Sequence, residues 1–588
     1  MLIENKRIFL YHKDRNSNKF SFYDTEKSVF KDIELTSDNY DVFVQTLRDD
    51  SKAFCGYGNA IYEDIIINEL IYKPELFKEM STSMLVAFFK QRDELLHQEW
   101  TEELQQLKRM NLFYHFDLSV LLFSKNVRPD LDDLRYSLPI DANLRPIEII
   151  KFIFDHNIDY INERLNIESK FDIDLINCPA VDIGMFIARK QYCKQCNIQW
   201  KDLMTKRSEC GKIKLSDCID LSKYNLEQFP TIKTYLETEV FIPGYNTIDI
   251  DFLFQNIKCK FSLGGIKALG DKGFYQSNEQ EVILYLDAKS FYPSIFIGQR
   301  IYPQHLNNSI VDIMSDMFSY RFEHGSIQMK TAMNSMIGKM MIDSWIYDPF
   351  KHTQLVLTGN LIILDVLSTI DSFNGQILQI NNDGIFLKVL RDKAHILLKQ
   401  IDMISIKYNI CFKSSIIDKL LLHSITNYIW TDAIINYEAN RKTIKSGIFD
   451  TEDFNYGRIK PANIISDAVY KYFFNHITVA DYIKSHKKAS IYCFTEFIKA
   501  PEGYVLYNGD VFTKARIYYS TNGKNIFKAK QDINNLTISS KLNKNQTGVN
   551  IYNKSSDNTN CEDIDYQYYI NEAYKIINEI EHKQLTLF

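Results

Sequence analysis

The feature that most constrains this chain is an apolar run, Val282-Ile283-Leu284-Tyr285-Leu286, that stops on a carboxylate, Asp287, and continues as Ala288-Lys289-Ser290-Phe291-Tyr292-Pro293-Ser294-Ile295. Such a run reads as a strand buried on both faces, and a buried strand holds the residue at its end in a fixed place. By itself Asp287 would more often be a strand-ending or helix-capping residue than a ligand. Downstream, Ile310, Ile313, Met314, Met317 and Phe318 mark a helix over Ser309–His324, ended by His324-Gly325. A second helix opens near Ser326 and carries Lys330-Thr331-Ala332-Met333-Asn334-Ser335-Met336-Ile337-Gly338. Lys330 and Asn334 stand at i and i+4 on one face, and Arg321 and Lys330 flank the turn of the hairpin. Further on, Gln376–Ile380 and Ile385–Val389 bracket Asn381-Asn382-Asp383-Gly384, a β-hairpin with a carboxylate at its tip. Taken singly, a lysine and an asparagine on a helix are ordinary solvated residues, and Asp-Gly is an ordinary turn.

Taken in order, these segments resemble motifs A, B and C of the family B DNA polymerases. Asp-x-x-Ser-Phe-Tyr-Pro-Ser-Ile matches the first almost position for position. The second, Lys-x-x-x-Asn-Ser-x-Tyr-Gly, has Ile337 where the family has Tyr. The third, usually Asp-Thr-Asp, has Asn381 in place of its first Asp and keeps the second as Asp383. The resemblance implies an α/β and α+β multidomain fold: an exonuclease-like (ribonuclease H-like) domain followed by a right-hand palm, fingers and thumb. It implies a DNA-templated DNA polymerase that extends a primer 3′ end, with Asp287 and Asp383 catalytic. Two Mg²⁺ ions, replaceable by Mn²⁺, would be held by Asp287, the Ala288 carbonyl and Asp383. Ser290, Phe291, Tyr292, Arg321, Lys330 and Asn334 would bind the incoming dNTP, Arg321 and Lys330 at its phosphates and Tyr292 beneath its sugar, excluding a 2′-hydroxyl. Primer-template DNA would meet Gly264 and Gly265 of a Tyr-x-Gly-Gly-like loop, a pair that also fits a plain turn. It would further meet Gly338, Tyr428, Lys442, Lys445 and, in a basic and aromatic stretch of the thumb, Lys514 and Arg516.

Residues 1–170 read as an α/β unit, with strands Arg7–Tyr11, Lys19–Tyr23 and Ala53–Tyr57. The layout resembles the 3′→5′ exonuclease domain of the same family, whose carboxylates hold two metals. Its motifs are eroded here. His12-Lys13-Asp14 stands for Asp-x-Glu, Asn59 with Glu63 and the adjacent Asp64 for Asn-x-x-x-Asp, and the region of Phe154 to Asp159 for Tyr-x-x-x-Asp. Asp24-Thr25-Glu26 is a literal Asp-x-Glu, but on the second strand. The expectation is a domain kept as scaffold and DNA-contact surface, with weak or absent proofreading; an active exonuclease is the alternative.

At 588 residues the chain exceeds what one core serves, so several domains are expected. They are 1–170 exonuclease-like, 171–245 bridging, 246–300 first part of the palm, 301–345 short fingers, 346–454 second part of the palm, 455–533 thumb, and 534–588 a flexible connector, helix and tail. A net charge of −6 leaves DNA contact to local basic patches. Apolar runs fall short of a membrane span and the start is charged, so a cytoplasmic protein without membrane contact is expected; a monomer is expected as well. Ten cysteines read as reduced thiols; Cys193-Lys194-Gln195-Cys196 has the spacing of half a zinc site, but Cys210 and Cys218 are not a second Cys-x-x-Cys. The abundance of Asn, Ile, Lys and Tyr points to an AT-rich genome, as in a low-GC bacterium, its plasmid or its phage. Gln584-Leu585-Thr586-Leu587-Phe588 resembles the Gln-Leu-x-Leu-Phe peptide by which bacterial DNA polymerases dock on the sliding clamp, with Gln584, Leu585, Leu587 and Phe588 as contacts. Asp287 and Lys330 are about 43 residues apart, too close for the long insertion of protein-primed relatives, so extension of an ordinary primer is expected. A DNA-binding scaffold without chemistry and a reverse transcriptase, whose hairpin normally carries paired aspartates, stay open.

Overall fold

Rich in β-branched and aromatic residues, Arg7–Lys13 (β1), Lys19–Asp24 (β2) and Val29–Glu34 (β3) make an antiparallel meander, to which Lys52–Gly56 (β4) and His115–Asp117 (β5) add in parallel. The strand order is β3-β2-β1-β4-β5. Tyr40–Leu47 (α1) lies on the path into β4 and Glu63–Tyr72 (α2) on the path from β4 to β5, the long crossovers that parallel strands require. Leu131–Ser137 (α3), Pro146–His156 (α4) and Ile158–Phe171 (α5) follow. The structure, a computed structural model, describes residues 6–59, 62–98, 101–110, 112–123, 128–205, 207–433, 442–451, 456–486, 491–500, 503–532, 535–542, 548–552 and 563–581. Segment 584–588 lies outside the described residues.

After Ile183–Cys196 (α6) the chain builds a ten-stranded sheet. Its strands are Asp249–Phe254 (β6), Ile257–Ser262 (β7), Gly265–Leu269 (β8), Gly273–Gln276 (β9), Glu281–Ala288 (β10), Gln376–Asn381 (β11), Gly384–Leu390 (β12), Phe412–Leu422 (β13), Tyr428–Asp432 (β14) and Thr443–Lys445 (β15). They run in the order β15-β14-β13-β10-β12-β11-β8-β7-β6, with β9 beside β13. The run that ends on Asp287 is therefore flanked on both sides, by β12 and β13. Leu284 and Leu286 enter the main core and Ile283 a smaller cluster on the opposite face. Phe291–Gly298 (α7), Ser309–His324 (α8), Ile327–Gly338 (α9), Pro349–Ser372 (α10) and Arg391–Tyr408 (α11) share that main core. By length and composition α10 could cross a membrane, yet nearly all of it is buried within the protein.

Within the 171–245 stretch, Ile183, Ile187, Ala188 and Tyr192 of α6 belong to the main core. A Cβ on Gly184 would come within 2.6 Å of the Ala332 carbonyl, so α6 lies directly against α9. Its mixed composition is that of a single layer with one wet face. Helix α5 supports α9 as well. The wholly buried Arg164 donates to Gln328 Oε1 at 2.6 Å and to the carbonyls of Leu175 and Cys178. Glu163 accepts from the Ser326 hydroxyl and, at 3.1 Å, from the Gln328 amide, a carboxylate at a helix N-terminus. Of the four cysteines weighed for zinc, the Cys196 thiol meets Asn307 and Cys210 the Lys212 carbonyl, and no cluster of three or more metal-ligating residues occurs among the described residues.

The last unit packs Asn463–Asn475 (α12) and Tyr566–Glu581 (α13) on a sheet of Glu496–Lys499 (β16), Lys514–Lys524 (β17) and Val549–Ile551 (β18). Part of the supposed connector is thus strand: β18 pairs with β17, and Asn535–Lys541 pairs with Ile526–Asp532. Ladder hydrogen bonds hold such strands whatever their composition, so a polar sequence can still be strand.

Arg516 and Lys514, expected at the DNA, are engaged within the protein. The buried Arg516 guanidinium donates to the carbonyls of Arg135, Tyr136, Leu138 and Ile140, around the end of α3. Lys514 pairs with Asp130 and, at 3.0 Å, with Asp133. Both cations bind the first unit to the last, so neither is presented to a DNA phosphate. Arg516→Ala should lower stability by on the order of 3 kcal/mol, because it leaves buried carbonyls unpaired. Urea unfolding measures that loss. A change in the salt slope of DNA binding with stability intact would return Arg516 to the DNA interface.

Candidate active site

Register brings the two carboxylates together. Asp287 pairs with Gly384, and the Ala288 amide donates to the Asp383 carbonyl at 3.2 Å. The hairpin tip is set by Asn382, whose φ of 59° is left-handed, a conformation that Asn tolerates better than most residues. Its amide donates to the Ile266 carbonyl at 2.8 Å. Gly265, at φ 101°, lies so close that any Cβ would collide with the Asn382 side chain. Both its backbone angle and its space require glycine. The Gly264-Gly265 loop is thereby fitted to the carboxylate hairpin, a contact between segments over a hundred residues apart.

Past Asp287 the chain turns through Ser290, also left-handed at φ 45°, which costs on the order of 1 kcal/mol in a non-glycine residue. The Ser294 hydroxyl closes the turn onto the Lys289 carbonyl at 2.7 Å. Helix α7 then seats Phe291 and Tyr292 against Gly359 of α10, where a Cβ would meet their rings at 3.0 and 3.2 Å. Tyr292 stands within electrostatic reach of Asp383, and burial together with that charge pushes its hydroxyl pKa up.

The helical hairpin delivers the cations. Arg321, near the end of α8, and Lys330, on α9, both act on the charge of Asp287, and Lys330 acts also on Asp383. One Arg321 nitrogen, Nη1, is buried without a hydrogen-bond partner. Lys330, Asn334 and Gly338 line the exposed face of α9, whereas Ile337 is buried in the core. The residue that departs from the motif thus faces away from the open side. Tyr428 sits edge-on to Phe386 at 5.4 Å, close enough to Asp287 to feel its charge. Lys442 is exposed, and Lys445 reaches Asp467 at 3.6 Å and the Tyr470 ring at 5.0 Å.

Two neighbours of Asp287 were not assigned from the sequence. Lys413 of β13 pairs directly with Asp287, and Tyr285 donates to Asp287 Oδ1 at 3.3 Å. Nothing local marks Lys413, because strand register is invisible in composition. Burial raises the pKa of Asp287, against the hydroxyl of Tyr285 and the charges of Lys330, Lys413 and Arg321. Burial and then the charge of Asp287 push Asp383 up to about 6. Neither carboxylate is in a salt bridge among the described residues. Crowded, underneutralised oxygen donors of this kind suit a hard divalent cation.

The first unit holds a different constellation. His12 Nδ1 lies 3.1 Å from Glu63, and His115 Nε2 lies 3.2 Å from Asp64. Asp64 also accepts from the Tyr11 hydroxyl and, at 2.9 Å, from Asn59. Asp117, unassigned from the sequence, is buried and accepts from the amides of Ser119 and Gly58. Asp14 is beyond the end of β1 and comes only within 3.9 Å of His12. Asp159 is exposed on the first turn of α5. Asp24 is bound to Arg7 and pairs with Phe9, whereas His12 pairs with Ser21, so the literal Asp-x-Glu lies about three strand positions, ~10 Å, from the cluster.

No protein-family model matches the chain, and no curated protein matches it. Among solved structures it is similar to the family B DNA polymerase from the hyperthermophilic archaeon Pyrobaculum calidifontis, with a TM-score of 0.41 and 10% identity over 98% of this chain and 78% of that one.

The raised carboxyl of Asp383 has a definite sign. Its stabilising share is present below the unfolded pKa, about 4, and is lost as pH rises through about 6. In metal-free protein, Asp383→Asn should therefore gain thermal stability relative to wild type between pH 4 and pH 7. Mg²⁺ should raise the wild-type Tm at pH 8 and leave that of Asp383→Asn nearly unmoved. Differential scanning calorimetry across pH checks both.

Proposed function

We propose that this chain is a DNA-templated DNA polymerase of the family B type. The observation that carries the reading is the meeting of Asp287 and Asp383 at the centre of one sheet, beneath a helical hairpin that brings Arg321 and Lys330 to bear on them. Mg²⁺ bound by Asp287, Asp383 and the Ala288 carbonyl would neutralise phosphate charge and make the primer 3′-hydroxyl a better nucleophile. The remaining work is positioning and electrostatics. The unpartnered Nη1 of Arg321 and the Lys330 ammonium would take the β- and γ-phosphates, Arg321 as a fork and Lys330 as a point charge. Asn334 and Gly338, on the same exposed face as Lys330, would border the nascent base pair. Tyr292, backed by Gly359, would present a rigid ring under the sugar and reject a 2′-hydroxyl by collision. Tyr428, Lys442 and the Gly264-Gly265 loop would contact the primer and template strands.

The amino-terminal unit is read as scaffold with little or no proofreading, since its acidic residues are held by His12, His115, Tyr11 and Asn59. Segment 584–588 is proposed as a sliding-clamp anchor.

Asp287→Ala or Asp383→Ala should reduce primer extension by about a thousandfold or more with duplex binding retained, as loss of a group at the reacting atoms does. Tyr292→Ala should incorporate ribonucleotides. A primer-extension assay with Mg²⁺ reads both, and activity within tenfold of wild type in either Asp variant would remove the proposed site. Without dNTPs the labelled 3′ end should survive for the time in which the template is copied. Degradation that vanishes in Asp64→Ala would instead assign proofreading to the first unit. Deleting 584–588 should leave distributive synthesis unchanged and end stimulation by a clamp loaded on long template.

A further inference from the structure

Strand β10 turns Ile283, Tyr285 and Asp287 to one face of the sheet. The Tyr285 hydroxyl donates to Asp287 Oδ1 at 3.3 Å, and its ring stacks on Phe386 at 4.4 Å with Trp430 at 5.9 Å. The same hydroxyl closes the space on the neighbouring strand: a Cβ built on Gly384 would lie 2.8 Å from it. Gly384 follows Asp383 directly and pairs with Asp287. One phenol therefore bonds the first carboxylate and fills the volume beside the backbone that carries the second. Its ring is fixed by aromatic neighbours, so the hydroxyl is aimed rather than free to swing.

We infer that Tyr285 is a positioning residue of the cation site, holding the Asp287 carboxylate through Oδ1 and setting the spacing of β10 and β12 against a glycine whose Cβ would crowd that hydroxyl. The inference rests on the reading of Asp287 and Asp383 as the polymerase carboxylates. Groups that orient a metal ligand, without touching metal or substrate, change affinity or activity by about ten- to a hundredfold when removed. Tyr285→Phe deletes only the oxygen. Gly384→Ala adds a methyl where that oxygen lies, so in the Tyr285→Phe background the methyl should be better tolerated.

The test is direct Mn²⁺ titration of the full chain by electron paramagnetic resonance, without DNA or nucleotide, beside single-nucleotide incorporation kinetics and a Tm for each variant. Expected for Tyr285→Phe is about tenfold weaker Mn²⁺ binding and a kcat about tenfold lower, with the dNTP KM and the Tm near wild type. Gly384→Ala should bind Mn²⁺ worse than the double variant Tyr285→Phe/Gly384→Ala. Wild-type Mn²⁺ affinity in Tyr285→Phe, or a double variant no better than Gly384→Ala, overturns the inference while leaving the polymerase reading standing. If wild-type protein extends no primer, the polymerase reading falls, and the Mn²⁺ titration still decides whether Tyr285 positions the site. Absence of saturable Mn²⁺ binding by wild type overturns the inference.

Discussion

Two carboxylates held side by side in a partly buried place repel each other, and the fold is arranged to keep them there. Asp287 and Asp383 cannot swing apart because each is tied to the interior of the same sheet, one at the end of β10 and the other in the turn between β11 and β12. Left in water, such groups would stay ionised and separate; here burial raises the pKa of both, and the charge of Asp287 raises that of Asp383 further. The strain of that arrangement has companions in the backbone: the left-handed Ser290 and Asn382 lie just past Asp287 and just before Asp383.

Keeping the charges in place calls for rigid surroundings, and the helices supply them. Helix α10 runs buried behind the site, with Gly359 admitting the rings of Phe291 and Tyr292. The hairpin that carries Arg321 and Lys330 is short, and a two-helix projection has little core of its own. It is braced by α6 through Gly184, and by α5 through Arg164 and Glu163. The segment before the ten-stranded sheet, although it carries none of the polymerase-like motifs, is what fixes the cations relative to the carboxylates.

The first unit has a comparable structural part. Its sheet keeps a buried polar cluster in which histidines meet the acidic groups, and its α3 is capped at the far end by Arg516 from β17. A charge so completely enclosed is stable only because every carbonyl it meets is an acceptor. The first and last units are joined there.

What the sequence determined by itself was local: the apolar run ending on Asp287, the helical stripe over Ser309–His324, the Asn-Asp-Gly turn and the order of the three motifs. Periodicity and turn chemistry report on neighbours a few residues away, so these elements were legible, as was the candidate pair Asp287 and Asp383. Composition was a poorer guide. Polar strands passed for a connector, and Arg516 and Lys514 passed for DNA contacts, because a basic side chain looks the same whether water, phosphate or a helix end surrounds it. Only the tertiary structure decided that Lys413 and Tyr285 flank Asp287, that Gly265 seats the hairpin tip, and that the 171–245 stretch backs the α8–α9 hairpin. Each depends on strand register or on packing between distant segments, where a slip of one residue would turn every side chain to the other face.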